Sequence, residues 1–240
     1  MINYEEAQNI AWLPFDMPVI NHDLICMANE LKKIDNEYWY WCTFRNSYLC
    51  VLYGNQDVNN KTEMEWMPWA KRCSKIIGLT ESFIFPQTNV KPRIIVIRTM
   101  PGMKMRVHTD CSPDEIHLFQ PKLRLVVQGE DSCLYYVNEK DERVYIDPKH
   151  KSYLMSGSVK HGMDNVSKDE KYTICWGDPW NGDNLENELF HKNLNHMYQK
   201  YKNEGIFVNQ LGDVDHILTV KDTSKEKIYS WNEWNENKEL

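Results

Sequence analysis

The sequence contains no Cys-x-x-Cys pair, and its seven cysteines are an odd number. This combination argues against a disulfide framework and against a structural zinc site. No run of about 20 apolar residues is present, so we expect no membrane-spanning helix. The first residues, MINYEEAQNIAW, carry acids where a signal peptide needs a basic start. We therefore expect a soluble, cytoplasmic protein in a reducing environment.

Basic residues are too few for an obvious nucleic-acid-binding face. The formal net charge is −7, from 28 Lys and Arg against 35 Asp and Glu. Phosphate contacts dominate the affinity of nucleic-acid-binding proteins, so we do not expect nucleic acid as a partner. Apolar residues make up 42% of the chain, with 9 Trp and 13 Tyr, which is the composition of a packed core rather than of a disordered chain.

The pattern along the chain predicts one domain with three parts. A length of 240 residues is enough to bury a sizeable core within a single domain over residues 1–240. Residues 1–91 are expected to form a support of mixed helix and strand. Residues 92–180 are rich in short β-type runs and form the expected core. Residues 181–240 are expected to form a C-terminal helix and tail.

Helical and strand patterns can be assigned outside the core. The spacing of apolar residues predicts a helix over 21–34 with Asn21 as its cap. The Trp- and Tyr-rich run 38–53 alternates as one or two strands would, and a second helix is expected between residues 62 and 77. An amphipathic helix is expected over 183–204, and no structure is predicted for the polar end SWNEWNENKEL.

Eight short β-type runs follow one another in the core, separated by turn residues. They are RIIVIRT (93–99), MRVHTD (105–110), KLRLVVQ (122–128), CLYYVN (133–138), ERVYIDP (142–148), SYLMSG (152–157), VKHGMDNV (159–166) and KYTICWG (171–177). Eight is the strand count of a jelly roll. The sequence therefore predicts a mainly β protein with flanking helices, built on a double-stranded β-helix of the jelly-roll, cupin-like kind.

Three residues of this strand series could hold a metal ion. His108 and Asp110 lie two apart at the end of the second run, so their side chains can share a face. His161 lies on the seventh run, which neighbours the second in one sheet of a jelly roll. Two histidines and one carboxylate form the facial triad of non-haem iron(II) oxygenases and leave positions open for cosubstrate and dioxygen. His108, Asp110 and His161 are therefore the candidate metal ligands and catalytic residues.

A resemblance to a known family rests on three segments: PGMKMRVHTD, KLRLVVQG and SGSVKHGMDNVSKDEKYTICWGDPW. They resemble the aspartyl/asparaginyl β-hydroxylase-like branch of the 2-oxoglutarate oxygenases, which includes bacterial proline 3-hydroxylases. The resemblance covers roughly residues 92–180. His108-Thr109-Asp110, Lys122-Leu123-Arg124 and the distal His161 match the family's pattern, and Lys171 follows the distal histidine by ten positions.

The resemblance implies two residues that bind the cosubstrate. Arg124 would approach the C1 carboxylate of 2-oxoglutarate, and Lys171 would pair with the C5 carboxylate at the back of the site. The chain departs from the pattern at two positions. Val126 stands where the family often has a second histidine, and Lys171 stands where arginine is common. Lysine offers a point charge in place of a planar fork, which removes a bidentate contact.

The function implied by the resemblance is hydroxylation of an unactivated C–H bond, with release of succinate and carbon dioxide. The implied substrate is an amino acid, free or in a peptide, and the implied cofactors are Fe(II), 2-oxoglutarate and O2, with ascorbate as a reductant. Arg106 shares strand parity with His108 and Asp110. It would either bind a substrate carboxylate or form a surface ion pair at the mouth of the barrel.

Two other classes of protein fit parts of the pattern. A cupin-type metal enzyme that does not use 2-oxoglutarate would share the barrel and the metal, although such enzymes usually have three or more metal-binding histidines. A non-catalytic jelly-roll binding module would share the fold. It would, however, leave His108, Asp110 and His161 as costly interior polar groups.

Overall fold

β-Strands are the main secondary structure of the protein. The computed structural model describes residues 11–43, 45–55, 64–88, 91–110, 121–129, 134–138, 140–147, 149–157, 159–177 and 228–230. The strands within these ranges are β1 (Trp12–Pro14), β2 (Tyr40–Cys42), β3 (Ser47–Gly54), β4 (Glu65–Trp66), β5 (Arg93–Thr99), β6 (Pro121–Gln128), β7 (Leu134–Val137), β8 (Arg143–Tyr145), β9 (Ser152–Ser156), β10 (His161–Met163), β11 (Lys171–Gly177) and β12 (Ile228–Ser230).

The strands form two antiparallel sheets. The larger has the order β1-β9-β6-β11-β5-β3-β2-β12, with β4 paired to β3, and the smaller has the order β10-β7-β8. Isolated bridges from Lys104 to Asp164 and from His108 to His161 bring the segment 104–108 beside β10. Of the eight predicted runs, the first, third, sixth and eighth therefore lie in the larger sheet and the fourth, fifth and seventh in the smaller, while the second lies beside the smaller sheet through the His108–His161 bridge. This alternation is that of a double-stranded β-helix, so the predicted fold class is confirmed.

β11 lies in the middle of the larger sheet and decides which side chains face inward. It pairs with β5 in unbroken register and with β6 on its other side, where Cys175 lies opposite Arg124. Because side chains alternate along a strand, Lys171, Thr173 and Cys175 share one face. Cys175 lines the same cavity as Asp110. This face is therefore the inner one, turned toward the segment that carries the predicted metal ligands.

The opposite face of β11 packs into the apolar core. Trp176 is fully buried there, and its indole N–H donates a hydrogen bond to Oγ1 of Thr80 at 3.1 Å. The tryptophan belongs to the core, as its opposite parity to Lys171 predicts. An indole N–H buried with a partner avoids the cost of an unsatisfied donor.

Helices flank the larger sheet. α1 (Asn21–Leu31) contacts β6 and also α2 (Ser74–Leu79). Its apolar residues Leu24, Met27 and Leu31 are buried, as the helical spacing predicts. The other helical segments among the described residues are the 3-10 turns Asn36–Tyr38, Pro68–Arg72 and Phe85–Gln87 and the π-helix Thr80–Ile84.

The start and end of α1 differ from the prediction. The α-helix ends at Leu31, three residues earlier than predicted. Asn21 is the first helical residue and not the cap. The cap is Ile20, which is extended, and its N–H donates to Oδ2 of Asp23 at 3.3 Å. A carboxylate in the first turn also interacts favourably with the helix dipole, so this end is stabilised without a side-chain cap.

The second predicted helix, over 62–77, is also interrupted. Met67 has extended backbone angles. It precedes Pro68, and a proline disfavours helical geometry in the residue before it. Pro68 therefore begins a 3-10 turn, and Cys73, with φ −102° and ψ 56°, separates that turn from α2. The α-helix therefore covers Ser74–Leu79, near the end of the range in which the sequence predicts it.

Three further segments differ from their predictions or lie outside the described residues. The run predicted as a strand over 105–110 does not form a regular strand: His108 and Thr109 are bridge residues, and residues 105–107 have no strand pairing. The predicted helix over 183–204 lies outside the described residues. Near the C-terminal end, β12 pairs with β2, which the polar composition did not predict. Among the described residues, the helices are too short or too polar to cross a membrane.

Candidate metal centre and adjoining cavity

The three predicted metal ligands come together in the structure. One potential ligand atom from each of His108, Asp110 and His161 lies within 4.8 Å of the others. Nε2 of His108 is 3.4 Å from Oδ1 of Asp110, and Nε2 of His161 is 3.7 Å from Oδ2. All three side chains are buried, with exposures of 1%, 3% and 0%. Two imidazole nitrogens and a carboxylate thus converge as the ligands of one divalent ion would.

Backbone hydrogen bonds hold the two histidine rings in the same way. Nδ1 of His108 is 2.8 Å from the carbonyl oxygen of Arg106, and Nδ1 of His161 is 2.7 Å from that of Val159. A carbonyl oxygen only accepts hydrogen bonds, so each Nδ1 must carry the proton. In the neutral ring Nε2 is then the unprotonated nitrogen, and in both rings it points at the carboxylate. This tautomer is the one that a metal ion bound through Nε2 requires.

The chain positions these histidines by pairing their backbones. The N–H of His108 donates to the carbonyl of His161 at 2.9 Å, and the N–H of His161 donates back at 2.8 Å. The N–H of Asp110 donates to the carbonyl of Gly157 at 2.7 Å. The isolated bridge therefore brings the two rings to the same edge, where their centroids are 4.4 Å apart.

Cations surround the carboxylate of Asp110. Nζ of Lys122 is 2.9 Å from Oδ2, and guanidinium nitrogens of Arg45 and Arg124 are each 3.4 Å from a carboxylate oxygen. Burial by itself would raise the pKa of Asp110. The Lys122 ammonium is the largest of the effects that outweigh burial and hold this pKa well below its ordinary value. Asp110 is therefore ionised, as a metal ligand must be.

His161 is held in its neutral form. Its burial, together with the neighbouring His108 ring, lowers the pKa of His161 well below the ordinary value, against the opposing charge of Asp110. A neutral imidazole is the form that binds a metal ion, so the buried site favours the state that ligation needs. The donor set, its protonation and its convergence all fit a non-haem iron(II) ion.

Arg124 lies directly against the predicted ligands. It is 5% exposed, and its Nη2 is 3.3 Å from Nε2 of His161 and 3.4 Å from Oδ2 of Asp110. Its Nε is buried and has no hydrogen-bond partner among the described residues. An unsatisfied guanidinium N–H beside the ligands is the feature expected of a residue that binds an anionic cosubstrate there.

Lys171 is buried on the same inner face, at the start of β11. It is 1% exposed, and its stem passes closely over Gly129. A β-carbon at position 129 would lie 2.9 Å from Cβ and Cγ of Lys171, so a glycine is needed there. Two residues further along the face, Oγ1 of Thr173 is buried without a hydrogen-bond partner among the described residues. An ammonium and an unsatisfied hydroxyl on one interior face fit a carboxylate.

The turn before Lys171 is fixed by a small network. Nδ2 of Asn165 donates to the carbonyls of Thr99 and Asp169, at 2.9 and 3.0 Å. Oγ of Ser167 is 2.7 Å from Oδ1 of Asn165 and 2.7 Å from the Asp169 carbonyl. Asn165 and Ser167 therefore satisfy backbone groups of the turn that positions the start of β11.

Arg106, a candidate from the sequence, and Arg98 are not among the described residues that line this cavity. Arg106 is exposed, and it is its backbone carbonyl, not its side chain, that contacts the site. The parity argument for Arg106 fails because residues 105–107 are not a regular strand. Arg98 lies on the outer side, where its guanidinium contacts Glu170 at 2.6 Å and lies over the ring of Trp39.

A cavity that is open to solvent adjoins the ligands. Several residues that line it were given no role in the site from the sequence. Lys122 shares strand parity with Arg124 on β6, and Cys175 shares it with Lys171 on β11, so periodicity could have found both. Arg45, from the N-terminal part, carries no sequence signal for this role. The lining consists of Arg45, Leu49, Arg93, Ile95, Ile97, Asp110, Lys122, Arg124, Cys175 and Gly177.

Comparison with known proteins gives structural neighbours but no relatives in sequence. No family model and no curated protein matches the chain. A prolyl-4-hydroxylase from Pseudomonas putida is 12% identical with a TM-score of 0.45, over 72% of this chain and 95% of that one. A Trichoplax adhaerens prolyl hydroxylase, solved with a hypoxia inducible factor peptide, is 10% identical with a TM-score of 0.46, over 73% and 87%.

HygX from Streptomyces hygroscopicus, solved with nickel, 2-oxoglutarate and hygromycin B, is 9% identical with a TM-score of 0.43. The match covers 73% of this chain and 86% of that one. The identities and TM-scores of all three neighbours are low. The function proposed below therefore rests on the residues of the site themselves.

Proposed function

We propose that this protein is an Fe(II)- and 2-oxoglutarate-dependent oxygenase that hydroxylates an unactivated C–H bond. The observation that carries the proposal is the convergence of two Nε2 atoms and one carboxylate within 4.8 Å. His108, Asp110 and His161 would hold the iron. With 2-oxoglutarate and O2, the bound iron supplies the oxidation of the substrate, releasing succinate and carbon dioxide, and ascorbate would keep it reduced.

The chain's own residues would bind and orient the cosubstrate. Arg124, beside the ligands, would take the C1 carboxylate with its guanidinium. Lys171 and Thr173 would take the C5 carboxylate on the same inner face, where burial strengthens a charged hydrogen bond. Lys171 and Thr173 lie two residues apart on β11, so their side chains point to the same side of the sheet.

The competing classes explain less of this arrangement. A cupin-type metal enzyme without 2-oxoglutarate gives no role to a buried Lys171, and the described residues bring two histidines to the site rather than three. A binding module without catalysis gives no reason for two histidines held in the same metal-binding tautomer. We extend the proposal, on the sequence resemblance, to an amino acid substrate that is free or part of a peptide.

The proposal is tested by binding and turnover together. Anaerobic titration of 2-oxoglutarate into the iron-loaded protein should produce a metal-to-ligand charge-transfer band. Air and ascorbate should then give slow release of succinate without any further substrate. The variant His161→Ala should lose at least about a hundredfold in iron affinity, because one of three ligands is gone. His22→Ala, at an exposed position of α1, is the control. Stoichiometric iron and a full band in His161→Ala would contradict the proposal.

A further inference from the structure

The wall of the cavity is strongly cationic. Arg45, Arg93, Lys122 and Arg124 line it, and Asp110 is the one acidic side chain among the described lining residues. Four positive charges thus face one negative charge around this cavity. Such a concentration of one sign raises the local concentration of anions and repels cations.

Two of these basic side chains run over glycines that leave room for their stems. A β-carbon at Gly177 would lie 3.2 Å from Cγ of Lys122, and one at Gly54 would lie 3.0 Å from Cγ of Arg93. Lys122 is 15% exposed at its side chain and Arg93 is buried, so both are held against the sheet rather than extended into solvent. Close passage over a glycine restricts where each charged end can lie.

The proposed iron would change the balance at Lys122. The Lys122 ammonium is 2.9 Å from Oδ2 of Asp110. A metal ion bound to Asp110 would draw that carboxylate's charge to itself and weaken its hold on the lysine. This partly buried ammonium would then need another anion. The proposed 2-oxoglutarate does not supply one there, because its two carboxylates are assigned to Arg124 and to Lys171.

The rest of the cavity is aliphatic. Leu49, on β3, and Ile95 and Ile97, on β5, contribute the apolar part of the lining. Aliphatic carbon buried against these side chains gains about 25 cal/mol per Å². The occupant that fits both parts of the wall has an anionic group at one end and an aliphatic body beside it.

We propose that the substrate of this oxygenase is an organic acid, bound through a carboxylate or phosphate to Lys122 and Arg93, with its aliphatic part on Leu49, Ile95 and Ile97. The inference rests on the proposed function and names the substrate class. The acid carries no ammonium group beside it, because the described lining offers a cation no carboxylate other than Asp110. Within the amino acids, this selects N-acylated molecules or the C-terminal residue of a peptide.

Four leucine derivatives that differ only in charge test the proposal. They are N-acetyl-L-leucine (anion), N-acetyl-L-leucinamide (neutral), L-leucine (zwitterion) and L-leucinamide (cation). Each is titrated by calorimetry, without oxygen, into protein loaded with Fe(II) and 2-oxoglutarate. The anion should bind at least about tenfold more tightly than the neutral amide, and the cation most weakly. Isobutyl phosphate is the phosphate arm, and its affinity relative to N-acetyl-L-leucine separates the two kinds of acid.

Variants then assign the anion to Lys122. Lys122→Met should remove most of the preference for the anion over the neutral amide, and Lys122→Arg should restore it. Lys71→Met, at an exposed position away from the cavity, should leave the preference unchanged. Thermal melting of each variant checks that the fold is retained. If Lys122→Met does not fold, the charge ranking of the four derivatives on the wild type still decides the proposal.

The outcomes separate this inference from the proposed function. Equal binding of the four derivatives, tighter binding of the zwitterion, or no measurable binding overturns the organic-acid substrate while leaving the oxygenase intact. If Lys122→Met weakens 2-oxoglutarate as much as N-acetyl-L-leucine, the cavity is the cosubstrate site and the inference is also overturned. Failure of the wild type to bind 2-oxoglutarate overturns the proposed function. The four derivatives are then titrated into protein loaded with Fe(II) alone, because the anion site is expected only when a metal ion is bound to Asp110.

Discussion

The two sheets of the core contribute different kinds of residue and position them by different means. The larger sheet supplies the cations, Lys122 and Arg124 from β6 and Lys171 from β11, on strands of eight and seven residues. The smaller sheet and the segment beside it supply the metal ligands, from a three-residue strand and an isolated bridge. Long paired strands fix side-chain direction by register alone.

Short strands do not fix side-chain direction by register, and in the smaller sheet a few individual hydrogen bonds fix it instead. Each histidine ring is tied to the carbonyl two residues before it, and the two histidines exchange backbone hydrogen bonds. The comparison teaches that cosubstrate binding depends on the packing of the larger sheet. Metal binding depends instead on a few local contacts in the smaller one. Changes in the larger sheet should therefore spare metal binding, except at Lys122 and Arg124, which contact Asp110.

The largest expected effect comes from removing the charge of Lys171. Lys171→Met keeps most of the stem volume and leaves a buried carboxylate of 2-oxoglutarate without its cation. We expect the dissociation constant of 2-oxoglutarate to rise by at least about a hundredfold, which is about 2.8 kcal/mol. Iron affinity should stay unchanged, because the change lies in the larger sheet. The charge-transfer band measures the first quantity, and anaerobic iron titration the second.

Lys71→Met provides the matched control for the same substitution at an exposed position. An unchanged dissociation constant in Lys171→Met would remove Lys171 from the cosubstrate site. The candidates for binding the C5 carboxylate of 2-oxoglutarate would then be the cavity cations Arg93 and Lys122. Loss of iron affinity in the same variant would show that the two sheets are not independent.

The sequence predicts the larger sheet better than the smaller. The predicted bounds of β5 and β11 match the structure, because their apolar runs are bounded by clear turn residues. The convergence of His108, Asp110 and His161 was also predicted, because it follows from strand order in a jelly roll. The segment 105–107 was predicted wrongly as strand. Its alternating pattern cannot reveal that it makes so few pairs with a neighbour.

The rest of the site depends on contacts far apart in the chain. The ion pair of Arg45 with Asp110 joins residues 65 positions apart, and no periodic pattern predicts it. The unsatisfied hydroxyl of Thr173 is visible only once its surroundings are known. Lys122 is two residues from Arg124 and could have been found by parity. A lysine at a strand end is, however, usually a solvated charge.

A smaller effect, on the free energy of unfolding, is expected from adding a methyl group at Gly129. This substitution should lower stability without affecting metal binding. Gly129 has φ +112°, and an added β-carbon would lie 2.9 Å from the Lys171 stem and 3.1 Å from its Cα. Gly129→Ala should lower the free energy of unfolding by about 2 kcal/mol, through strain and overpacking. Gly78→Ala is the control, since nothing lies within 4 Å of an added β-carbon in that helix. It should stabilise by up to about 1 kcal/mol.

Denaturant titration measures both glycine variants. Because Gly129 lies at the end of β6, its substitution should also weaken 2-oxoglutarate binding while iron binding is retained in the folded protein. A Gly129→Ala protein as stable as the wild type would mean that the Lys171 stem can move aside. The close fit would then have no part in positioning the ammonium.

The smallest effect concerns the turn that joins the two sheets, between β10 and β11. Glu170 accepts from Arg98 at 2.6 Å and from the Tyr172 hydroxyl at 2.5 Å. Burial alone would raise the pKa of Glu170, but Arg98 and Tyr172 together lower it below its ordinary value of 4.5. A pKa that is lower in the folded state than in the unfolded state stabilises the protein at pH values above the unfolded-state pKa. That stability is lost as the pH falls through the folded-state pKa.

Because the pair of Glu170 and Arg98 is partly exposed, Glu170→Gln should cost only about 1 kcal/mol of stability at pH 7. The difference between wild type and variant should shrink below pH 4.5, as the wild-type carboxylate is protonated. Urea titration of both proteins across this range measures it. A difference that stays constant with pH would assign the effect to lost hydrogen-bond geometry rather than to charge.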